Sequence, residues 1–118
     1  PPSSRMVYPY ARAIQWVQSV PETTPLHLKV VVMDTTDLDW ARGLLHTLRD
    51  AGVAEHLTSQ TLQVGTDIGY ERDETRTRIL LRAEQLWETL NADPDPIWRE
   101  VRLLPQWHTL VFGPKLGV

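Results

Sequence analysis

The sequence contains no cysteine. Its residues therefore cannot form a disulfide, supply a thiolate nucleophile, or ligate a zinc ribbon or an iron–sulfur cluster. An excess of basic residues is also absent, because 12 lysines and arginines stand against 15 acidic side chains and give a formal net charge of −3. This charge provides no electrostatic footprint for nucleic acid or for an anionic membrane surface. We therefore expect no nucleic-acid partner.

Long apolar runs and an N-terminal targeting signal are absent as well. No hydrophobic run approaches the roughly 18 residues that a membrane helix needs, and the first residues lack the charged-then-apolar order of a signal peptide. We therefore expect no membrane partner and a cytoplasmic location. The 118 residues are enough for one domain, or a piece of one, with a single sizeable core.

Helical and strand patterns alternate along the chain. In order, the sequence predicts a helix over 9–20, a strand over 26–33, a helix from Thr36 to near Gly52, a strand over 61–65, a long helix ending near Leu90, and a strand over 107–112. This order favours parallel strands joined by right-handed helical crossovers. Three strands leave both edges of a sheet open, so we expect other polypeptide to complete it.

Two polar residues interrupt apolar runs that are predicted to be strands. Read as a strand from Trp107 to Phe112, the tail carries His108 and has no cleanly polar face, which is typical of a strand covered on both sides. A histidine buried there needs a hydrogen-bond partner or a ligand, because an unpaired buried polar group costs roughly 1–3 kcal/mol. Lys29 either reaches a strand end, pairs with a carboxylate, or contacts a ligand. His46 and His56 are too far apart for helical metal-binding spacing, and we expect them at the surface.

The acidic pairs of the sequence do not indicate a metal site. Asp37 and Asp39 fall in the first turn of a predicted helix, where carboxylates favour the positive end of the helix dipole. Asp93 and Asp95 alternate with two prolines in a predicted turn. We therefore predict neither a metal ligand nor a catalytic residue in this chain.

Several stretches taken together resemble one enzyme family. They are Pro1-Pro2-Ser3-Ser4, the strand Leu28-Lys29-Val30-Val31 with Asp34 and Asp37-Leu38 after it, the strand Leu62-Gln63-Val64, the run Leu104-Pro105-Gln106-Trp107-His108, and Gly113 with the terminal Gly117-Val118. This set resembles the C-terminal half of 7-carboxy-7-deazaguanine synthase, a radical S-adenosylmethionine enzyme of queuosine and deazapurine biosynthesis. The Pro-Gln-x-His tail and the Pro-Pro-Ser-Ser opening are its more specific motifs.

The resemblance implies an α/β fold, namely the C-terminal part of a partial (β/α) barrel with about three parallel strands alternating with helices over residues 1–118. It implies a lyase that contracts the ring of 6-carboxy-5,6,7,8-tetrahydropterin, with S-adenosylmethionine, a [4Fe–4S] cluster and Mg²⁺ as cofactors. The family's three-cysteine motif and magnesium-binding residue lie N-terminal to the matching part. We therefore expect a C-terminal half that is inactive alone and has the missing N-terminal half as its partner. The oligomeric state is left open, a homodimer included.

The resemblance also implies site residues. The cofactor-binding candidates are Gln63, Ser3, Ser4 and Lys29. His108 is expected to hold the pterin substrate by a hydrogen bond rather than as a metal ligand, and the terminal carboxylate of Val118 is expected to fold back towards that substrate. Structural roles stay open for the cofactor candidates: a backbone partner for the glutamine and the serines, and solvent for the lysine.

Two functions from other classes also stay open. One is a non-catalytic interaction module whose open sheet edge docks onto a partner chain, with the five tryptophans as anchors. A weaker one is a small phosphohydrolase-like domain that uses Asp34 at the end of a strand, although no second motif supports it. A cysteine motif in the reading frame upstream of Pro1 would favour the enzyme.

Overall fold

Three parallel strands alternate with helices, as the sequence predicts. The computed structural model describes residues 1–4 and 9–113. Its elements, in chain order, are a 3₁₀ turn Pro2–Ser4, α1 (Tyr10–Ser19), β1 (His27–Val32), α2 (Thr35–Asp50), a 3₁₀ turn Ala54–His56, β2 (Ser59–Val64), α3 (Arg72–Ala92), a 3₁₀ turn Pro96–Glu100, β3 (Val101–Pro105) and α4 (Trp107–Phe112). The α/β fold class is confirmed. None of the helices in these two ranges combines the length and apolarity needed to cross a bilayer.

The strands form one parallel sheet in the order β1-β2-β3. Helix α2 connects the first two strands and α3 connects the second and third, so each crossover runs through a helix. The carboxyl ends of all three strands therefore lie at the same edge of the sheet. This arrangement is consistent with part of a (β/α) barrel, and ligands of such sheets bind at that edge.

One face of the sheet carries the core. Successive side chains of a strand point to opposite faces, and the buried positions Val30, Val32, Leu62 and Val64 all belong to the same face. Helices α1, α2 and α3 contribute to the same apolar cluster through Ala13, Val17, Leu38, Ala41, Leu44, Leu48, Ile79 and Leu86. All three helices thus cover a single face of the sheet.

The opposite face, which we call the open face, is not covered by these helices. Its side chains are His27, Lys29, Val31, Ser59, Thr61, Gln63, Arg102 and Leu104, all of them exposed or half-buried. Polar groups dominate this set, whereas the covered face is apolar except for Gln60. The sheet therefore presents one packed surface and one surface with room for a ligand or for further protein.

The predicted strand over 107–112 is wrong, because that segment forms helix α4. A short apolar run does not by itself distinguish a strand from a helix. Pro105 ends β3 and has no backbone N–H to extend the ladder. The guanidinium of Arg76 then donates to the backbone oxygens of Leu110 at 2.9 Å and Val111 at 3.1 Å, which satisfies carbonyls at the end of the helix. His108 consequently lies on a helix and not on a strand.

The start of α2 also differs from the prediction. The sequence predicts Thr36 as the N-cap, but Asp34 takes this position, because its carboxylate accepts a hydrogen bond from the backbone N–H of Asp37 at 2.9 Å. An aspartate caps a helix at least as well as a threonine. The helix therefore begins at Thr35, close to the carboxyl end of β1.

Candidate functional site

Two rows of side chains cross the open face. The first row is Lys29, Thr61 and Arg102, and the second, nearer the carboxyl ends of the strands, is Val31, Gln63 and Leu104. Neighbouring strands lie about 4.8 Å apart, so the backbones of the two outer members of a row are roughly 10 Å apart. The sequence-predicted residues Lys29 and Gln63 therefore share one face and lie on adjacent strands.

Both side chains are available to a ligand. Gln63 is half-buried near the end of the central strand, and its amide has no hydrogen-bond partner among residues 1–4 and 9–113. The exposed ammonium of Lys29 likewise has no carboxylate within ion-pair distance in that part of the chain. An amide offers two donors and an acceptor, and an ammonium offers three donors and a charge. Together they suit a ligand that carries an anionic group and further polar groups.

The structure brings the turn that contains Ser3 and Ser4 to the carboxyl end of β1. Ser3 donates its backbone N–H and its hydroxyl to the carboxylate of Asp37, which also accepts from the backbone N–H of Met33 at 2.8 Å. The Ser4 hydroxyl donates to the backbone oxygen of Pro1 at 2.6 Å. The two serines therefore lie at the edge of the sheet where the carboxyl ends of the strands meet. The sequence interpretation counted Asp37 among the residues that carry the family resemblance, but it explained this acid by the helix dipole and gave it no site role.

His108 lies just beyond the carboxyl end of β3, in the first turn of α4, and it is exposed. The side-chain amide nitrogen of Gln106 lies 3.1 Å from its Nε2 atom. An amide nitrogen donates, so Nε2 of the imidazole is the acceptor in this contact. The other ring nitrogen, Nδ1, is then the candidate donor towards a ligand beyond the third strand. The terminal residue Val118 lies outside the described residues.

A second polar cluster joins α2 to the turn before β3. Asp93 binds the guanidinium of Arg42 and the indole N–H of Trp98 at 2.9 Å, and Asp95 binds Nε2 of His46 at 2.7 Å. The hydrogen bonds from Trp98 and from the backbone N–H of Asp95 hold the pKa of Asp93 below its ordinary value. The hydrogen bond from His46 is the main cause of the lowered pKa of Asp95.

The sequence interpretation placed these two aspartates in a turn, and the structure adds a role in tertiary packing. The carboxylates do accept turn hydrogen bonds, because Asp93 binds the backbone N–H of Asp95 and Asp95 binds that of Ile97, each at 3.0 Å. Their partners on α2 lie some fifty positions away in the sequence, and no local pattern reveals such a pairing. Arg42 offsets part of the negative charge, and both Arg42 and His46 anchor the turn, so the cluster fastens the chain before β3 to the helix layer.

The fold and the polar open face define a class of protein. Helices cover one face of a parallel sheet, and polar side chains occupy the other face and the carboxyl edge, which is the location of ligand sites in α/β proteins. The chain therefore belongs to the α/β proteins built as part of an open parallel sheet or barrel.

Comparisons with known proteins identify a particular relative. No family model matches the chain. The chain is similar over its whole length to the 7-carboxy-7-deazaguanine synthase of Bacillus subtilis (strain 168), with 33% identity over 123 aligned positions. The chain spans about half of that relative, 47% of its length. The resemblance derived from the sequence motifs is thereby confirmed.

Proposed function

We propose that this chain is the C-terminal half of a 7-carboxy-7-deazaguanine synthase, and that it holds S-adenosylmethionine and the pterin substrate. The whole-length similarity to about half of such a synthase is the observation that carries this proposal. The open face and the carboxyl edge of the sheet support it, because both carry polar side chains of the kind that bind polar ligands. The reaction is then a ring contraction of 6-carboxy-5,6,7,8-tetrahydropterin, with release of ammonia.

The open face and the turn Pro1–Ser4, which we call the serine turn, fit S-adenosylmethionine. The amide of Gln63 would bind the adenosine part, and the ammonium of Lys29 would bind the carboxylate of the methionine part. Ser3 and Ser4 would border the cofactor at the end of β1. When bound, S-adenosylmethionine supplies the radical that starts the reaction. The role of this chain is to orient the cofactor and to help exclude water around it.

The pterin would lie beside the end of β3. His108 would donate its Nδ1–H to a ring nitrogen or oxygen of the substrate and so fix the orientation of the ring. The terminal carboxylate of Val118 would accept a hydrogen bond from the substrate. Both contacts orient the substrate, and neither residue exchanges a proton with the reacting carbon.

The residues present do not fit the iron–sulfur cluster or the metal ion. A [4Fe–4S] cluster needs thiolates, and the sequence has no cysteine. Within residues 1–4 and 9–113, no three histidine or carboxylate side chains lie together as metal ligands. In this proposal the missing N-terminal half supplies the ligands of both groups, and this half alone is inactive.

The edge of β1 that faces away from β2 pairs with no strand of residues 1–4 and 9–113, and it is suited to receive the missing half. A groove of about 660 Å³ lies beside this strand and has an apolar lining that includes Trp16 on α1, Leu28 on β1 and Leu44 on α2. Helix α1 precedes β1, and a right-handed strand–helix–strand unit would place one more parallel strand beside β1. The side chains of such a strand would cover the apolar part of the groove and continue the barrel. Residues 1–118 would then form one half of a single domain.

Reconstitution tests the proposed function. The chain is joined to the cysteine-bearing half, the cluster is assembled without oxygen, and conversion of the carboxytetrahydropterin is followed by chromatography. Product should form with both halves and not with this chain alone. Failure of the joined, cluster-loaded protein to make any product would contradict the proposal.

Gln63→Ala tests the cofactor role against a matched control. In the joined protein, Gln63→Ala should weaken binding of S-adenosylhomocysteine about tenfold, equivalent to about 1.4 kcal/mol. The control Gln60→Ala lies on the same strand but on the covered face, where it lines a different pocket, and should leave binding unchanged. Calorimetric titration measures both. Equal losses in the two variants would indicate a general effect on the sheet and not a cofactor contact.

His108→Ala separates the substrate role from the cofactor role. We expect weaker pterin binding, measured as a higher KM, with little change in the affinity for S-adenosylhomocysteine. His27→Ala is the control, because this exposed histidine lies on the open face at the amino end of β1. Equal effects of His108→Ala on both ligands would contradict its assigned role.

Deleting Gly117 and Val118 should similarly lower turnover and leave the fold intact.

Exposed tryptophans favour the interaction module as the second candidate. Trp16, Trp87 and Trp107 are all more than half exposed, and such rings are common anchors of protein interfaces. Stable association with a partner chain, without any affinity for S-adenosylhomocysteine, would support this alternative. The phosphohydrolase hypothesis gains no support, because the Asp34 carboxylate caps α2.

A further inference from the structure

Asp37 and Asp39 look equivalent in the sequence but differ completely in their environment. Both lie in the first two turns of α2, yet Asp37 is fully buried while the side chain of Asp39 is 72% exposed. The helix dipole explains an exposed carboxylate near a helix N-terminus. A buried carboxylate needs hydrogen-bond donors as well, because burial removes the water that solvates its charge. The burial of Asp37 therefore requires a further explanation.

Three donors from outside the helix surround the Asp37 carboxylate. Oδ1 accepts the backbone N–H of Ser3 at 2.9 Å, and Oδ2 accepts the Ser3 hydroxyl and the backbone N–H of Met33 at 2.8 Å. Met33 directly follows the last residue of β1. Asp37 thus joins three segments at one point: the serine turn, the carboxyl end of β1 and the start of α2.

These contacts fix how Ser3 can meet a ligand. An ionised carboxylate only accepts, so the hydroxyl hydrogen of Ser3 points at Asp37. Towards a ligand, the Ser3 oxygen can then only accept. The ligand group opposite it has to be an N–H or O–H donor, such as an amine or a sugar hydroxyl. Without Asp37, the hydroxyl would rotate freely and the turn would lose both of its hydrogen bonds from Ser3.

We propose that Asp37 is a positioning residue of the cofactor site, which holds the Pro1–Ser4 turn against the end of β1 and orients Ser3 to accept from a donor group of S-adenosylmethionine. Asp37 acts through Ser3 and does not touch the cofactor. This inference rests on the proposed function, because it takes S-adenosylmethionine as the ligand. It assigns to a buried acid of α2 a role in affinity for the cofactor and not for the pterin.

Four variants of the joined, cluster-loaded protein test the inference. They are Asp37→Asn, Ser3→Ala, the double variant, and the exposed control Asp39→Asn. Calorimetry gives the affinity for S-adenosylhomocysteine, and steady-state kinetics give KM for the pterin. We expect about tenfold weaker S-adenosylhomocysteine binding in each single variant, and no further loss in the double variant, because both changes break the same contact. The control and all KM values for the pterin should stay within about twofold of wild type.

Several results would overturn the inference. Unchanged affinity in Asp37→Asn, even with a lower melting temperature, would reduce Asp37 to a structural role. Additive losses in the double variant would show that Ser3 and Asp37 act separately. If Asp37→Asn does not fold, Ser3→Ala decides, because this exposed side chain is not needed for the core, and unchanged affinity there overturns the inference. A wild-type protein that does not bind S-adenosylhomocysteine would instead contradict the proposed function, and this inference with it.

Discussion

Val31 and Val32 are neighbours in β1, yet they face different surroundings. Val32 points into the helix layer and is fully buried, whereas Val31 points to the open face and is 43% exposed. The same contrast runs across the sheet: the covered face is apolar and packed, and the open face carries amide, ammonium, guanidinium and hydroxyl groups. Stability therefore depends on the residues of one face, while the other face is free to carry ligand chemistry. Alternate positions of one strand are therefore constrained differently, by core packing on one face and by ligand contacts on the other.

The largest loss of stability is expected from a cavity on the covered side. Ile79 on α3 is fully buried in the core, and Ile79→Ala should lower the free energy of unfolding by about 2–5 kcal/mol. Leu104→Ala removes a side chain from the open face and should cost less than about 1 kcal/mol. Urea unfolding monitored by tryptophan fluorescence measures both. Similar losses would contradict the division between the two faces.

The valine pair gives a sharper version of the same test. Val32→Thr places a hydroxyl in the apolar core and should lower the free energy of unfolding by about 1–3 kcal/mol. Val31→Thr places the same hydroxyl on the open face, where the change should stay within about 0.5 kcal/mol. The two variants share the substitution, the strand and nearly the same position. A similar cost for both would show that the open face of the chain is packed after all.

Much of the fold follows from local pattern. The β-branched run of β1, the apolar stripe of α2 and the glycine after that helix are each explained by residues close in sequence, and the structure confirms those elements. The strand predicted for the tail was wrong because the apolar run Trp107–Phe112 fits the period of a helix as well as that of a strand. Arg76 caps α4 from a position some 35 residues earlier in the chain, a contact that no local pattern reveals.

Residues of the candidate site were predictable only where a family motif or the position on a strand indicates them. Lys29 and Gln63 were identified from their strands and from the family resemblance, and the parallel register places them on one face. The contact of Asp37 with Ser3 was not predicted, because the two residues lie 34 positions apart in the sequence. A first-turn acid looks the same in a sequence whether it is exposed or buried. Burial and long-range hydrogen bonds are therefore the information that only the structure supplies.

Helix α4 connects the covered side to the site, because α3 holds the helix that carries His108. Arg76→Ala removes two hydrogen bonds to carbonyl oxygens of α4 and should cost about 1 kcal/mol, since Arg76 is partly exposed. Faster amide exchange should be confined to α4. Arg99→Ala, at an exposed position before β3, is the control and should change neither quantity. Exchange that rises throughout the sheet would contradict a local role for Arg76.

The smallest effect is expected from the polar cluster of Asp93 and Asp95 that joins α2 to the turn before β3. There, only the pH dependence of the free energy of unfolding should change. Hydrogen bonds lower the pKa of Asp95 in the folded chain, the larger effect coming from His46 and the smaller from the backbone N–H of Ile97. An unfolded aspartate has a pKa of about 3.9. The unfolded state then binds more protons in this range. Asp95 therefore contributes its full stabilisation above the unfolded pKa and loses it as the pH falls through the folded pKa. In urea titrations at a series of acidic pH values, Asp95→Asn should flatten the acid limb of the stability curve, while Asp39→Asn, whose side chain is exposed, should leave it steep. An unchanged acid limb in Asp95→Asn would show that the contact between α2 and the turn before β3 does not depend on this charge.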